Sequence, residues 1–282
     1  MTRFPSVAAL SLILSLIGLA GCDDAPSLHL DPLASGGRAG NAPDLTYPAV
    51  MHIANASRGA DDFGNAINLY RHAATMAPDN PEPLAALGDT LLEMGKADEA
   101  IVNYYAALKL NAHFPAALRG LAKAYLRTGR PDLAGQPLAA AYKDTPADPK
   151  LLLLIGVADD FLGQHANAQA RYQQGLRIAP ADHSLILDLA LSLALSEKYD
   201  QAIGMLRPLA YAPGATPQER QTLALIYGLK GDQKTARELA RMDLDAAAAD
   251  HNLAYYETLR RLPPDARSRA ILSASAAQHP QS

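Results

Sequence analysis

The chain has 282 residues, a formal net charge of −4, 49% hydrophobic residues, 6% aromatic residues, no Trp and a single cysteine. A mildly acidic balance with no basic domain excludes a nucleic-acid-binding module, and one cysteine excludes an internal disulfide framework. The apolar content is dominated by Ala and Leu, strong helix formers, so the expected fold class is all-α.

At the N-terminus, one positive side chain, Arg3, precedes an apolar run from Val7 to Ala20 and the tetrapeptide Leu19-Ala20-Gly21-Cys22. This is the layout of a secretory signal peptide over residues 1–21. The run falls short of the roughly 20 apolar residues a helix needs to span a bilayer, which disfavours a retained transmembrane anchor. The tetrapeptide resembles a bacterial lipobox. That resemblance implies cleavage before Cys22 and acylation of its sulfur and new amino group by fatty acids such as palmitate, hence a membrane-anchored lipoprotein. More than one acyl chain is needed for stable anchoring, at about 0.8 kcal/mol per buried CH₂. Loss of Arg3 with the leader takes the formal charge from −4 to −5. Asp23 follows the cysteine. In enterobacterial lipoproteins an aspartate there holds the protein at the inner membrane, so the choice of membrane stays open.

Residues 22–46 form the lipidated N-terminus and a linker rich in Pro, Gly, Ala, Ser and Asp, with no periodicity able to bury a face. Residues 47–262 carry a 34-residue period. Alanines recur at Ala66, Ala100, Ala134, Ala168, Ala202 and Ala236, followed four residues on by Tyr70, Tyr104, Leu138, Tyr172, Leu206 and Ala240. This matches the Ala-x₃-Phe element of the tetratricopeptide repeat, and Pro78, Pro146 and Pro180 stand near the expected place. Gly95, Gly129, Gly163 and Gly231 precede four of these alanines by five residues, where a turn between helices can call for positive φ. The first and fifth repeats carry Asp61 and Glu197 there instead. Small residues at Gly88, Ala122, Gly156, Ala190 and Ala224 are expected to let paired helices approach closely. The predicted architecture is a right-handed solenoid of about six helical hairpins, each touching only its neighbours, with a C-terminal capping helix over Asp245 to Leu262. Pro263-Pro264 ends regular helix. The short tail, residues 263–282, holds either one short helix around Ala266 to Leu272 or none.

No constellation of catalytic groups emerges, no cofactor is implied, and the expected role is non-enzymatic. The eight histidines sit at unrelated repeat positions, no metal-ligand spacing exists, and the glycines do not gather into a phosphate-binding loop. The adjacent pairs Asp61-Asp62 and Asp159-Asp160 read as solvated charge, since neighbours on a helix do not face each other. What remains is the concave surface, lined by the first helix of each repeat. Arg119, Lys123 and Arg127 fall at four-residue spacing on that face and fit either an acidic or carboxylate-bearing partner segment or a plain solvated face. Leu153, Val157 and Phe161, then Leu187, Leu191 and Leu195, take the same positions in the next two repeats. They form either an apolar partner-binding strip or part of the core. Of the carboxylate-clamp positions used by chaperone-binding repeats, Asn55 matches while Ala85 and Asp89 depart.

The stretch from Glu219 to Asp232 (ERQTLALIYGLKGD), then Asp243-Leu244-Asp245, Asn252-Leu253-Ala254-Tyr255-Tyr256 and Leu262-Pro263-Pro264, resembles the TadD family. These are tetratricopeptide lipoproteins of the tight-adherence (Flp) pilus assembly system. The resemblance covers nearly the whole mature chain. It implies a periplasm-facing scaffold on the outer membrane that helps the pilus secretin localise or assemble by direct protein contact, with no catalytic residues. Asp23 and the degenerate first repeat depart from the family pattern. A repeat-scaffold lipoprotein of another envelope or secretion complex is the alternative.

Overall fold

The computed structural model describes residues 45–278. The expected signal peptide and lipid attachment at Cys22, Asp23 and nearly all of the expected linker lie outside the described residues. Within them the chain is all-α, with fourteen helices. Six hairpins follow in order: α1 (Tyr47–Gly59) with α2 (Phe63–Met76), α3 (Glu82–Glu93) with α4 (Ala97–Leu110), and α5 (Pro115–Arg127) with α6 (Pro131–Asp144). Next come α7 (Pro149–Phe161) with α8 (His165–Ile178), α9 (His183–Leu195) with α10 (Tyr199–Ala210), and α11 (Pro217–Lys230) with α12 (Gln233–Ala240). Two further helices, α13 (Ala246–Arg261) and α14 (Pro264–Gln278), complete the chain.

All six hairpins turn in the same way. The residue five before each spaced alanine has positive φ: Gly95 at 78°, Gly129 at 69°, Gly163 at 73° and Gly231 at 99°. Asp61 at 57° and Glu197 at 62° adopt the same conformation without the glycine. The next residue then donates its N–H to the carbonyl five positions back, at 2.8–2.9 Å in every repeat from Asp62 to Ser57 through Asp232 to Tyr227. This closes the first helix with a Schellman-type bond. A left-handed residue bearing a Cβ costs roughly 1–2 kcal/mol, less for Asp, whose short side chain bonds locally. The repeat geometry therefore dictates the turn even where the residue does not favour it. Pro78, Pro146 and Pro180 each stand two residues beyond the end of a second helix, where a following proline stops it.

The spaced alanines are fully buried between paired helices. The small residues twelve positions before them do more than admit a neighbouring backbone. A Cβ on Gly156 would lie 2.4 Å from Tyr172 Cε1, and one on Gly88 2.7 Å from Tyr104 Cε1, so these glycines make room for tyrosine rings. In the third and fifth repeats, where Leu138 and Leu206 replace the tyrosine, the equivalent positions are Ala122 and Ala190.

Adjacent first helices pack on one another, α3 on α5, α5 on α7, α7 on α9 and α9 on α11, whereas the second helices stay further apart. The stack therefore curves with its first helices on the inside. At its C-terminal end α13 packs on α11 and α12 as the expected cap. The tail differs from its sequence reading. From Pro264 it forms a fifteen-residue helix, which turns back at Pro263 and crosses α5, α7 and α9 on the inner face.

Candidate functional site: the inner face of the solenoid

The inner face changes character along its length. In the first three repeats it is a mixed-charge surface. Arg58 reaches both Asp89 (3.7 Å) and Glu93 (3.8 Å), so these two carboxylates converge on a guanidinium. Tyr104 threads past Gly88 and donates its hydroxyl to Asp89 at 2.7 Å. Tyr70 donates likewise to Asn55 at 2.6 Å, which occupies the Asn55 carboxamide with its own repeat. Burial raises Asp89 and Glu93 above the usual carboxylate range, with the pull of Arg58 opposing it. Burial also lowers Lys123, while nearby Asp89 holds its charge on.

The three cations of the sequence reading do lie on this face, half-buried. Arg119 turns towards Asp148, the N-cap of α7, at 3.3 Å. Arg127 donates to the carbonyl of Leu92 at 2.7 Å, near the C-terminus of α3, where a cation opposes the negative end of the helix dipole. Both therefore fasten neighbouring repeats together. Leu153 and Val157 are half-buried against the core of repeats four to six.

Further along, the face is closed. Leu187, Leu191 and Leu195 retain 7%, 9% and 4% of their exposure. Leu187 joins the core of the later repeats, while Leu191 and Leu195 cluster with Leu229, Leu259, Ile271 and Leu272, and Phe161 packs against them. Ile271 and Leu272 belong to α14. The Phe161, Leu191 and Leu195 part of the apolar strip is thus covered by the chain's own C-terminal helix. The sequence reading missed it because α14 has no continuous apolar stripe: its seated face carries Arg267 and Ser268 beside Ile271 and Leu272, all buried.

Those two polar residues are fully engaged. Arg267 donates to Glu197 (3.0 Å), to Tyr199 (3.2 Å), and to the carbonyls of Leu259 (3.2 Å) and Leu262 (3.2 Å) at the end of α13. Ser268 Oγ lies 3.4 Å from His165 Nε2, and His165 Nδ1 lies 2.7 Å from Asp160. Asp160 is 2% exposed and also accepts from Ser192 (2.7 Å) and Tyr172 (2.9 Å). The solvated reading of Asp159-Asp160 is therefore corrected for Asp160. In the last turn of α7 it points inward between α8 and α9, where three donors satisfy the carboxylate, as a buried charge requires. The order Ser268, His165, Asp160 has the outline of a nucleophile, base and acid. The Ser268 hydroxyl is buried, and the three residues tie together α14, α8 and α7, which bear them.

The residues that carried the C-terminal family resemblance also prove to be fasteners. Thr216 and Glu219 form a reciprocal capping box at the start of α11, and buried Glu219 pairs with His183. Arg220 makes a two-pronged ion pair with Asp243, Gly228 accepts the ring of Tyr256, and Asp232 and Asp245 cap α12 and α13. They lock the sixth hairpin to its cap. Among the described residues no group of three or more His, Cys, Asp or Glu side chains is arranged to hold a metal, and no helix is long and apolar enough to cross a membrane.

Six stacked hairpins with a continuous inner face define a tetratricopeptide-repeat solenoid, a fold whose members bind protein partners. Two tetratricopeptide-repeat family models match the sequence, over residues 57–102 and 85–149. No curated protein matches the chain in sequence. Solved structures with the same fold include a tetratricopeptide repeat protein from Parabacteroides merdae ATCC 43184, 15% identical, with a TM-score of 0.62 over 76% of this chain and 86% of that one. PilF of Pseudomonas aeruginosa is 18% identical with a TM-score of 0.60, over 74% of this chain and 97% of that one. MamA of Desulfovibrio magneticus RS-1 is 20% identical with a TM-score of 0.51, over 57% and 91%. At these identities the likeness speaks to the fold alone.

Proposed function

We propose that the chain is a lipid-anchored, periplasm-facing, non-catalytic scaffold that binds the secretin, or its accessory proteins, of a tight-adherence (Flp) pilus and helps it localise or assemble. One observation carries this reading: a single chain combines a lipobox ending at Cys22, a repeat solenoid, and a C-terminal stretch from Glu219 to Pro264 resembling the TadD family. The solenoid supplies an extended protein-binding surface, and the lipid would hold that surface at a membrane. The mildly acidic chain does not suit nucleic acid.

Co-purification from detergent-solubilised envelope tests it, with the protein tagged at its C-terminus and a Cys22→Ala variant alongside. Recovery of a pilus secretin by the wild type is expected. Recovery of a different envelope complex without any pilus component would keep the scaffold and discard the pilus. Asp23 gives that second reading, a scaffold for another envelope or secretion machine, its one specific support. Fractionation finding the wild type only in the inner membrane would defeat the role at an outer-membrane secretin.

A further inference from the structure

The inner face holds one occupant already. Helix α14 follows α13 after a break at Leu262-Pro263 and lies over three interior repeats. It is not needed to close the end of the stack, because α13 covers the sixth hairpin. Its apolar contact rests chiefly on two adjacent side chains, Ile271 and Leu272, which cover Leu191, Leu195 and Leu229. Its polar contacts are specific: Arg267 enters a nest of Glu197, Tyr199 and carbonyls at the end of α13, and Ser268 meets His165. The opposite side of the helix, with Asp265, Arg269 and Ser273, faces solvent. A short amphipathic helix laid into a groove on apolar anchors is one of the recurring modes of peptide recognition. Here both ligand and groove lie in one chain.

We infer that the groove over α5, α7 and α9 is a helix-binding site that α14 occupies in cis, and that its partner ligand is an amphipathic helix presenting Arg-Ser followed three residues on by two adjacent aliphatic side chains. The partner helix displaces α14, taking over the seat of Arg267 against Glu197 and the contact of Ile271 and Leu272 with Leu191 and Leu195. A groove filled in this way has its affinity for outside ligands reduced by the fraction of molecules in which α14 is unseated. Binding therefore couples to release of the C-terminal helix. The existence of a partner rests on the scaffold reading above; the nature of the seat does not.

The test uses the full chain and a fluorescein-labelled peptide of residues 263–278, so it depends on no pilus component. The Ile271→Asp/Leu272→Asp variant should bind the peptide at least about tenfold more tightly than the wild type, whose groove is filled, while losing no more helicity than the fifteen residues of α14 account for. A folded variant that ignores the peptide, or equal binding by both chains, overturns the proposal. Loss of helicity beyond that of α14 itself would mark α14 as part of the core and overturn it as well. Hydrogen exchange on the wild type gives an independent reading, since sub-global opening of α14 should make its amides exchange at least about tenfold faster than those of α7 and α9. Exchange of α14 only together with α9 would make it a fixed structural element and defeat the inference. A concentration-dependent dimer, by sedimentation, that the double substitution abolishes would assign the groove to α14 of a second copy and sink the partner reading. Failure to recover a secretin would leave all of these outcomes unchanged.

Discussion

Within each repeat a few residues decide the packing. Gly156 is one: the ring of Tyr172 fills the space a side chain would need, with a hypothetical Cβ only 2.4 Å from Cε1. Forcing atoms into a filled core costs about 1–3 kcal/mol, and Gly156→Ala should lower the unfolding free energy by about that amount in urea denaturation, whereas the same change at exposed Gly135 should not. Asp188 sets a pH dependence. Burial first, then the neighbouring charges of Asp160 and Asp182, push its carboxyl from the ordinary 3.8 up to about 7. The folded state then holds a proton that the unfolded state releases, so stability should fall as pH rises from about 4 to about 7 and level off above. Asp188→Asn should remove that slope and raise the melting temperature at neutral pH, as thermal melts across this range would register. The period in the sequence reveals where small residues fall; which ring they accommodate is a property of the folded pair. Asp160 shows the limit of reading adjacent carboxylates as surface charge, since its donors Ser192 and Tyr172 come from other helices.

At the scale of elements, the last hairpin and its cap are joined through the two-pronged pair of Arg220 and Asp243, with side chains only 16% and 10% exposed. The guanidinium holds the Asp243 carboxyl below the usual carboxylate range, so the pair contributes at neutral pH and is lost only as pH falls below about 4. Replacing a largely enclosed partner strands the other charge. Asp243→Ala should cost about 1–3 kcal/mol and speed amide exchange in α13 ahead of α1 to α6, because in a solenoid each unit is held by its neighbours. The six hairpin turns were legible from the turn residues and the spaced alanines, and the ends of three second helices from Pro78, Pro146 and Pro180. Helix α13 was legible from its aromatic and leucine content. Helix α14 was not, because half of its seated face is polar and only Glu197, His165 and the carbonyls of α13 make burial of Arg267 and Ser268 tolerable.

At the scale of the whole molecule, the proposed function combines the curved stack with an anchor at Cys22. If Cys22 bears the lipid, Cys22→Ser should move the protein from the membrane fraction to the soluble fraction and abolish fatty-acid labelling, without changing its helicity or melting temperature. The 34-residue period, the all-α fold and the six hairpins could all be read from the sequence, because each depends on local geometry repeated in register: the same turn, the same small residues, the same spacing. The candidate groove was legible only as a set of positions. Whether Arg119 and Arg127 faced a partner or another repeat, and whether Leu191 and Leu195 were open or covered, depended on contacts between segments far apart in the chain. Those contacts form only when the stack curves and brings residues 264–278 back across it. Local periodicity determined the scaffold, and the tertiary fold alone decided that its inner face is already occupied.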